Sequence, residues 1–271
     1  MLDIHVISLA SSERRASIAR ALDERGVAFR FEDAYDARSL SDAEVDMVSD
    51  QRAAQLRYGR ALTRGELGCF ASHRSVWRKI VASGRSAVVL EDDALLGAIF
   101  FDHVLTVREH ALGRVADLVL LGRSKLRREA AARTYFREPL KRLHRVDRLT
   151  VGVPFKQWTS GSVGYWISVD GARKALAHTE RPFERLLDDW PWHRDHGGIR
   201  VAELRPYAVW EGFESMPSAI DVDRRACTRE RSALHEMAIE PLRVVRTAIR
   251  WLRVMLLVAA DARSGRVSSH E

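Results

Sequence analysis

Cysteine is almost absent: the chain has two, Cys69 and Cys227. Far apart in 271 residues, they make neither a disulfide framework nor a zinc-finger spacing, so a reducing compartment is expected. No run of about 18 uncharged apolar residues occurs, so no membrane-spanning helix is expected. The chain opens on strand-like Asp3-Ile4-His5-Val6-Ile7 rather than a basic segment followed by an apolar one, so no signal peptide is expected. Internal repeats, heptads and low-complexity bias are missing. So are helix-turn-helix, zinc and RNA-binding signatures. Lysine is scarce, found only at positions 79, 125, 141, 156 and 174.

What is present is a core and a solvated surface, 46% apolar and 30% charged residues, in a chain long enough for one large domain or for one domain plus an appendage. The formal net charge is +7 with a pI near 9.8, carried almost wholly by arginine. Such a balance suits an anionic partner: nucleic acid, an acidic membrane or a phosphorylated ligand.

Apolar Ile4–Leu9, helical spacing over 13–25 and a second apolar run at Val27–Phe31 read as strand, helix, strand. Ser41-Asp42-Ala43-Glu44 and Thr63-Arg64-Gly65-Glu66 are capping boxes. The helix from Thr63 places Leu67, Phe70, Val76, Trp77 and Ile80 on one face and stops near Gly84. Ala87-Val88-Val89-Leu90 reads as a strand buried on both faces. Strands are also expected at 117–121, 163–169 and 199–204, with Asp170 capping the helix after the second. The Arg-dense stretch 123–148 reads as a basic surface excursion.

Glu91-Asp92-Asp93 follows the buried strand at once. Three carboxylates there are costly unless neutralised. Sheets of this class bind ligands at the carboxyl ends of their strands. A hard divalent cation, Mg²⁺ or Mn²⁺, with a diphosphate would resolve the charge. A plain strand-terminating turn is the competing reading. Arg14 and Arg15 follow the first strand and suit phosphate. His73 sits on the Thr63 helix, where a structural role competes with a site role. Trp158-Thr159-Ser160-Gly161-Ser162 is a small-residue turn whose hydroxyls and N–H groups suit a sugar or phosphate oxygen. Asp188-Asp189-Trp190-Pro191-Trp192-His193 sets carboxylates beside rings, a combination that fits carbohydrate. Either Asp188 or Asp189 is a candidate general base, and His193 or His196 a candidate metal ligand. A capped helix with Trp in the core is the alternative.

From Pro241 the pattern changes. Arg243, Arg246, Arg250 and Arg253 fall in an arc of roughly 80° at about 100° per residue. Val244, Ile249, Trp251, Leu252, Met255 and Leu256 cover much of the rest. A basic amphipathic helix over about 241–260 fits an anionic membrane interface, or packs on the domain.

Taken in order, four blocks resemble glycosyltransferase family 25, which includes bacterial lipooligosaccharide galactosyltransferases. They are Val6-Ile7-Ser8-Leu9 with Glu13-Arg14-Arg15; Leu62 to Cys69 through Ser72-His73 to Ile80; Val89 to Asp93; and Gly164 to Ser168 with Gly171-Ala172. The resemblance implies an α/β GT-A-like, Rossmann-like fold: a mixed sheet flanked by helices, over residues 1–225, followed by a tail at 226–271 carrying the amphipathic helix. It implies a UDP-sugar donor, often UDP-galactose, and a divalent cation, usually Mn²⁺. Asp93 would touch the metal, with His193 as a second ligand; Glu91 and Asp92 would orient the donor. Ser8, Leu9, Arg14, Arg15 and His73 would lie on the donor side. Thr159, Gly161, Trp190 and Trp192 would face the acceptor, and Asp188 or Asp189 would act as base in an inverting displacement. The expected setting is the cytoplasmic face of the inner membrane, with a glycan or glycolipid acceptor and no nucleic acid. A nucleic-acid-binding protein and an inactive binding module are the rival readings.

Overall fold

In a computed structural model, the description covers residues 2–155, 161–213 and 233–263. The core is a mixed sheet that, among these residues, has eight strands. It is built from β1 (Asp3–Ser8), β2 (Arg30–Asp33), β3 (Ala87–Glu91), β5 (Leu118–Leu120), β7 (Leu140–Val146), β8 (Leu149–Pro154), β9 (Gly164–Ile167) and β10 (Val201–Arg205), in the order β2-β1-β3-β9-β5-β10-β8-β7. β1 runs parallel to β2 and β3, whereas β9 is antiparallel to both its neighbours, β3 and β5. A smaller sheet, β4 (Ala94–Leu96), β11 (Val209–Glu211) and β6 (Gly122–Arg123), closes over one end with β11 in the middle.

The reason β3 is apolar throughout is visible in its two faces. Val88 and Leu90 join one core with Ile4, Val6, Ile18 and Leu22, the last two from α1 (Arg14–Asp23). Ala87 and Val89 join a second core with Phe70, Trp77 and Ile80 of α4 (Arg64–Ser83) and Ala172 and Ala175 of α7 (Val169–His178). A strand covered on both sides has no polar face to show. The result is helix, sheet, helix.

Both capping boxes form. Ser41 and Glu44 open α2 (Asp42–Val48), which leads to α3 (Gln51–Tyr58); Thr63 and Glu66 open α4. Gly84 ends α4 in the left-handed conformation at φ 66°. α7 is capped by Ser168, whose hydroxyl accepts from the Gly171 N–H. Asp170, the expected cap, sits in the first turn instead, where its charge favours the helix dipole.

The Arg-dense stretch is not a loose excursion. After α5 (Glu109–Val115), β5 and β6, it forms α6 (Ala131–Arg137) and the β7–β8 hairpin, which pairs onto β10 and extends the main sheet. Arg123 is buried there between Glu138 at 2.8 Å and Glu203 at 3.5 Å. α8 (Trp190–Gly197) precedes β10.

The tail helix α9 (Ala233–Arg263) contains Pro241 and begins earlier than expected. The boundary expected at 225 lies outside the described residues. The helix lies on β7 and α6: Trp251 Nε1 donates to the Phe136 carbonyl at 2.8 Å and Arg250 to that of Arg137 at 3.0 Å. Its inward stripe is Arg243, Thr247, Arg250, Val254 and Leu257. Two of the four arginines of the expected outward arc therefore face the domain. No described helix is long and apolar enough to cross a membrane.

At Gly122 a Cβ would stand 2.1 Å from the Val209 carbonyl oxygen. Gly122→Ala is expected to lower stability in urea unfolding by about 1–3 kcal/mol, the cost of overpacking; unchanged stability would contradict this close pairing of β6 with β11.

Candidate active site

β1 and β3 are adjacent and parallel, with Ile7 opposite Glu91, so both chains emerge at one edge. There Ser8 Oγ and Ser12 Oγ each donate to Asp92 Oδ2 at 2.6 Å. Arg14 Nη1 lies 3.4 Å from Asp92 Oδ1 and 3.1 Å from Asp93 Oδ2. Ser8, Leu9, Arg14, His73, Glu91, Asp92 and Asp93 line one cleft of about 370 Å³, a size that suits a small-molecule ligand. Arg15 is turned aside: it donates to the Ser8 carbonyl at 3.0 Å and to Asp33, and lies over Phe31.

The α4 wall explains the residue types in its first turns. A Cβ at Gly68 would meet the Tyr35 carbonyl oxygen at 2.5 Å. Ser72 Oγ donates to the Gly68 carbonyl at 2.6 Å and accepts from the Tyr35 N–H at 2.8 Å. Small residues thus let the 34–38 loop close against the helix, and they bring Tyr35, Asp36 and Arg38 to the cleft. Sequence patterning gave no sign of these three. One turn on, His73 is fully buried, with Nδ1 2.7 Å from Tyr165 Oη, which also accepts from Trp77 Nε1 at 2.9 Å.

Glu91 accepts from the Ser162 hydroxyl and lies 3.5 Å from His73 Nε2. Burial raises its pKa, yet His73, Ser162 and Arg14 together outweigh burial and hold it below the usual value. Asp93 goes the other way. Burial, then the charges of Glu91 and Glu211, push it well above the carboxylate range against the pull of Arg14. Asp93 is 5% exposed, and its Oδ1 has no hydrogen-bond partner among the described residues.

Glu211 is a fourth carboxylate that the sequence did not reveal. It pairs across from Ala94, and the Gly212 N–H donates to the Asp93 carbonyl at 2.9 Å. The Lys125 N–H holds Glu211 Oε2 at 2.7 Å. Burial and then the Glu91 charge push its carboxyl up. Its only sequence signal was a carboxylate ending the short apolar run Ala208-Val209-Trp210.

The Asp-Trp-Pro-Trp-His segment is divided. Asp188 is half-buried and accepts from the Gly161 N–H at 3.2 Å, next to Ser162 and so to Glu91. Gly161 also binds Trp190, through its carbonyl, at 3.0 Å. Asp189 is wholly buried; it caps α8 and takes Tyr58 Oη at 3.1 Å and Arg57 Nε at 3.5 Å. That fit makes it a structural cap rather than a base. Trp190 is 2% exposed, packed on Tyr165 in the second core, so it offers no face to a sugar. Trp192 packs on His178 and borders a different cavity. His193 does not fit a metal ligand: Nε2 lies 2.9 Å from the Leu187 carbonyl and Nδ1 2.8 Å from His178 Nε2. Thr159 lies outside the described residues.

Residues 1–189 match the model of glycosyltransferase family 25, described as LPS biosynthesis protein. The chain belongs to glycosyltransferase family 25. Relatives include procollagen galactosyltransferase 1 of Danio rerio, 30% identical over 66% of this chain and 28% of that protein. A probable inactive glycosyltransferase 25 family member 3 of Rattus norvegicus is 34% identical over 68% of this chain and 31% of its own. A glycosyltransferase 25 family member of Aedes aegypti is 33% identical over 68% and 29%. The chain thus spans less than a third of the length of these curated relatives. Asp188 and Asp189 close the family-25 match, and Glu211 lies beyond it.

Two outcomes test the structural assignments. Asp189→Ala, which removes the cap and the acceptor of the Tyr58 hydroxyl, should cost about 1–3 kcal/mol in urea unfolding. His193 is held at a pKa of about 3 by burial and by His178. The unfolded imidazole titrates near 6.5, so between these values the unfolded chain binds more protons and stability falls as pH drops. Urea unfolding at pH 7 and pH 5 should show a loss of about 2 kcal/mol from this group, and His193→Phe should flatten the slope.

Proposed function

We propose that this chain transfers a hexose, galactose foremost, from a UDP-sugar to a saccharide acceptor by inverting displacement. The observation that carries this reading is Asp93: a buried carboxylate with one oxygen unpartnered, in a cleft shared with Glu91 and Asp92 and within the field of Glu211. The all-oxygen donor set fits Mn²⁺ or Mg²⁺, with Asp93 as ligand and Asp92 and Glu91 placing the donor. The relatives named as galactosyltransferases support the sugar, and the family description supports a lipopolysaccharide-type acceptor.

When bound, the cation supplies positive charge against the departing diphosphate. Arg14, already at the carboxylates, faces the same phosphates and offsets charge as the bond to the anomeric carbon breaks. Exposed Tyr35 at the cleft mouth offers a ring face to the uracil. Asp188 takes the acceptor hydroxyl proton as the new glycosidic bond forms, and UDP leaves with the electron pair of the broken bond.

α9 supports a membrane setting, at the inner face of the cytoplasmic membrane. Leu242, Val245, Leu252, Met255 and Leu256 are exposed by half or more, and Phe136 and Leu143 extend the apolar surface. Arg246 and Arg253 remain outside among them. An apolar patch of this extent beside basic residues matches anionic headgroups over acyl chains.

The inactive relatives favour one second reading, a family member that binds a donor without transfer. UDP release with Mn²⁺ and a panel of UDP-sugars separates the two. Transfer predicts turnover in the wild type and a loss of about 10²-fold or more in Asp93→Asn; near-normal turnover of that variant with added Mn²⁺ refutes the metal assignment. For the membrane, Leu252→Glu with Leu256→Glu should abolish cosedimentation with anionic vesicles and leave UDP release intact. Persistent sedimentation of the double variant would overturn the anchor.

A further inference from the structure

We propose that Cys69, His73 and Glu91 form a second cation site, selective for a thiophilic transition metal of the zinc class and separate from the oxygen site around Asp93. One sulfur, one nitrogen and one oxygen from these residues lie within 4.8 Å of one another. Cys69 and His73 are four residues apart on α4, so one helix face presents both. Glu91 comes to meet them from the end of β3.

The imidazole is arranged as a metal-binding histidine is. Its Nδ1 is 2.7 Å from Tyr165 Oη, and that oxygen is itself fixed by Trp77. A cation at Nε2 requires the proton on Nδ1, where Tyr165 Oη can accept it; without the cation, Nε2 can carry the proton toward Glu91 at 3.5 Å. His73 is 0% exposed, and Nε2 has no hydrogen-bond partner among the described residues. Ser162 holds Glu91 in the same way. Two of the three ligands thus already have the outer partners that orient a ligand and fix its tautomer.

Ligand softness divides the cleft. The acidic triplet offers only carboxylate oxygen and selects Mg²⁺ or Mn²⁺. Cys69 adds a thiolate and His73 an imidazole, a set that selects zinc over either. Three protein ligands leave a fourth position, and all three residues line the open cleft. Zinc there engages Glu91 and stands in the donor's path, so it excludes the donor. That consequence rests on the proposed transfer reaction, whereas the binding site itself does not.

The test uses the full chain freed of metal and titrated with Co²⁺. One equivalent should produce thiolate-to-cobalt charge-transfer absorption, and one equivalent of Zn²⁺ should bleach it. Cys69→Ser should lose the band and bind zinc more weakly by over about 100-fold, beyond the usual cost of losing an outer partner. Tyr165→Phe keeps all three ligands and should weaken zinc by about 10–100-fold, a second readout should the cysteine variant fold poorly. Cys227→Ser should keep the band. Asp93→Asn should keep it too while losing Mn²⁺ binding measured by electron paramagnetic resonance, so this site and the donor-metal site fail separately. Absence of the band in the wild type, its loss in Cys227→Ser but not Cys69→Ser, or equal zinc affinity in wild type and Cys69→Ser overturns the proposal.

Discussion

Negative charge crowded at the end of β3 is the constraint around which the structure is arranged. Glu91, Asp92, Asp93 and Glu211 converge with Arg14 as the guanidinium between Asp92 and Asp93. Two like charges 4 Å apart cost about 4 kcal/mol at the effective dielectric of a protein surface. Every neighbouring element therefore delivers a donor: β1 gives Ser8, the loop after it Ser12, the segment before β9 Ser162, and the turn after β6 the Lys125 N–H. Asp93 is left with an oxygen unpartnered, and burial beside Glu91 and Glu211 drives its carboxyl up, while His73, Ser162 and Arg14 hold Glu91 down against burial. A protein without a cationic ligand to accommodate would gain stability by replacing Asp93 with an apolar residue.

The features that were legible in the sequence are those fixed by local physics. A capping box is complete within four residues, so Ser41 and Thr63 announced α2 and α4. A strand buried on both faces must be apolar throughout, so Ala87 to Leu90 announced β3 and, with it, the place of the triplet. Non-local features were not legible. The β7–β8 hairpin carries Arg142, His144 and Arg145 outward because it forms the sheet edge, and charged edges look like loops in a single sequence. Glu211 belongs to a three-residue strand whose meaning comes from pairing with β4, some 115 positions earlier. Asp189 and Trp190 were misread for the opposite reason. A carboxylate beside tryptophans is the same local pattern whether it faces a sugar or caps a helix over the core, and only burial distinguishes them.

The family match ends at residue 189, yet the site is not complete there. β10 and β11 follow it, and β11 closes the small sheet over the triplet through the Gly212 bond to Asp93. The match therefore covers every residue that lines the cleft, from β1 through α4 to β3 and the triplet. The closing strand and the tail lie beyond the matched residues.

A chain of contacts ties the cleft's carboxylates to the apolar face of α9. α9 rests on the last carbonyls of α6, and Arg250 meets one of them where the helix dipole is negative. Glu138, directly after α6, pairs with Arg123 of β6, which also reaches Glu203 of β10. Two residues past Arg123, the Lys125 N–H holds Glu211 beside Asp93. The Arg250 and Arg123 links are buried or half-buried, and only the last, from the Lys125 turn, is exposed, so a shift of the helix would disturb Arg123, whose pairing is costly to break once desolvated. A surface that settles on a membrane through Leu252 and Leu256 would therefore fix the cleft's height and direction above it. On the proposed membrane reading, the tail would orient the site toward the acceptor as well as bring it near, which fits a helix docked by a mixed stripe, Arg243, Thr247, Arg250, Val254 and Leu257, that leaves most of its apolar residues outside.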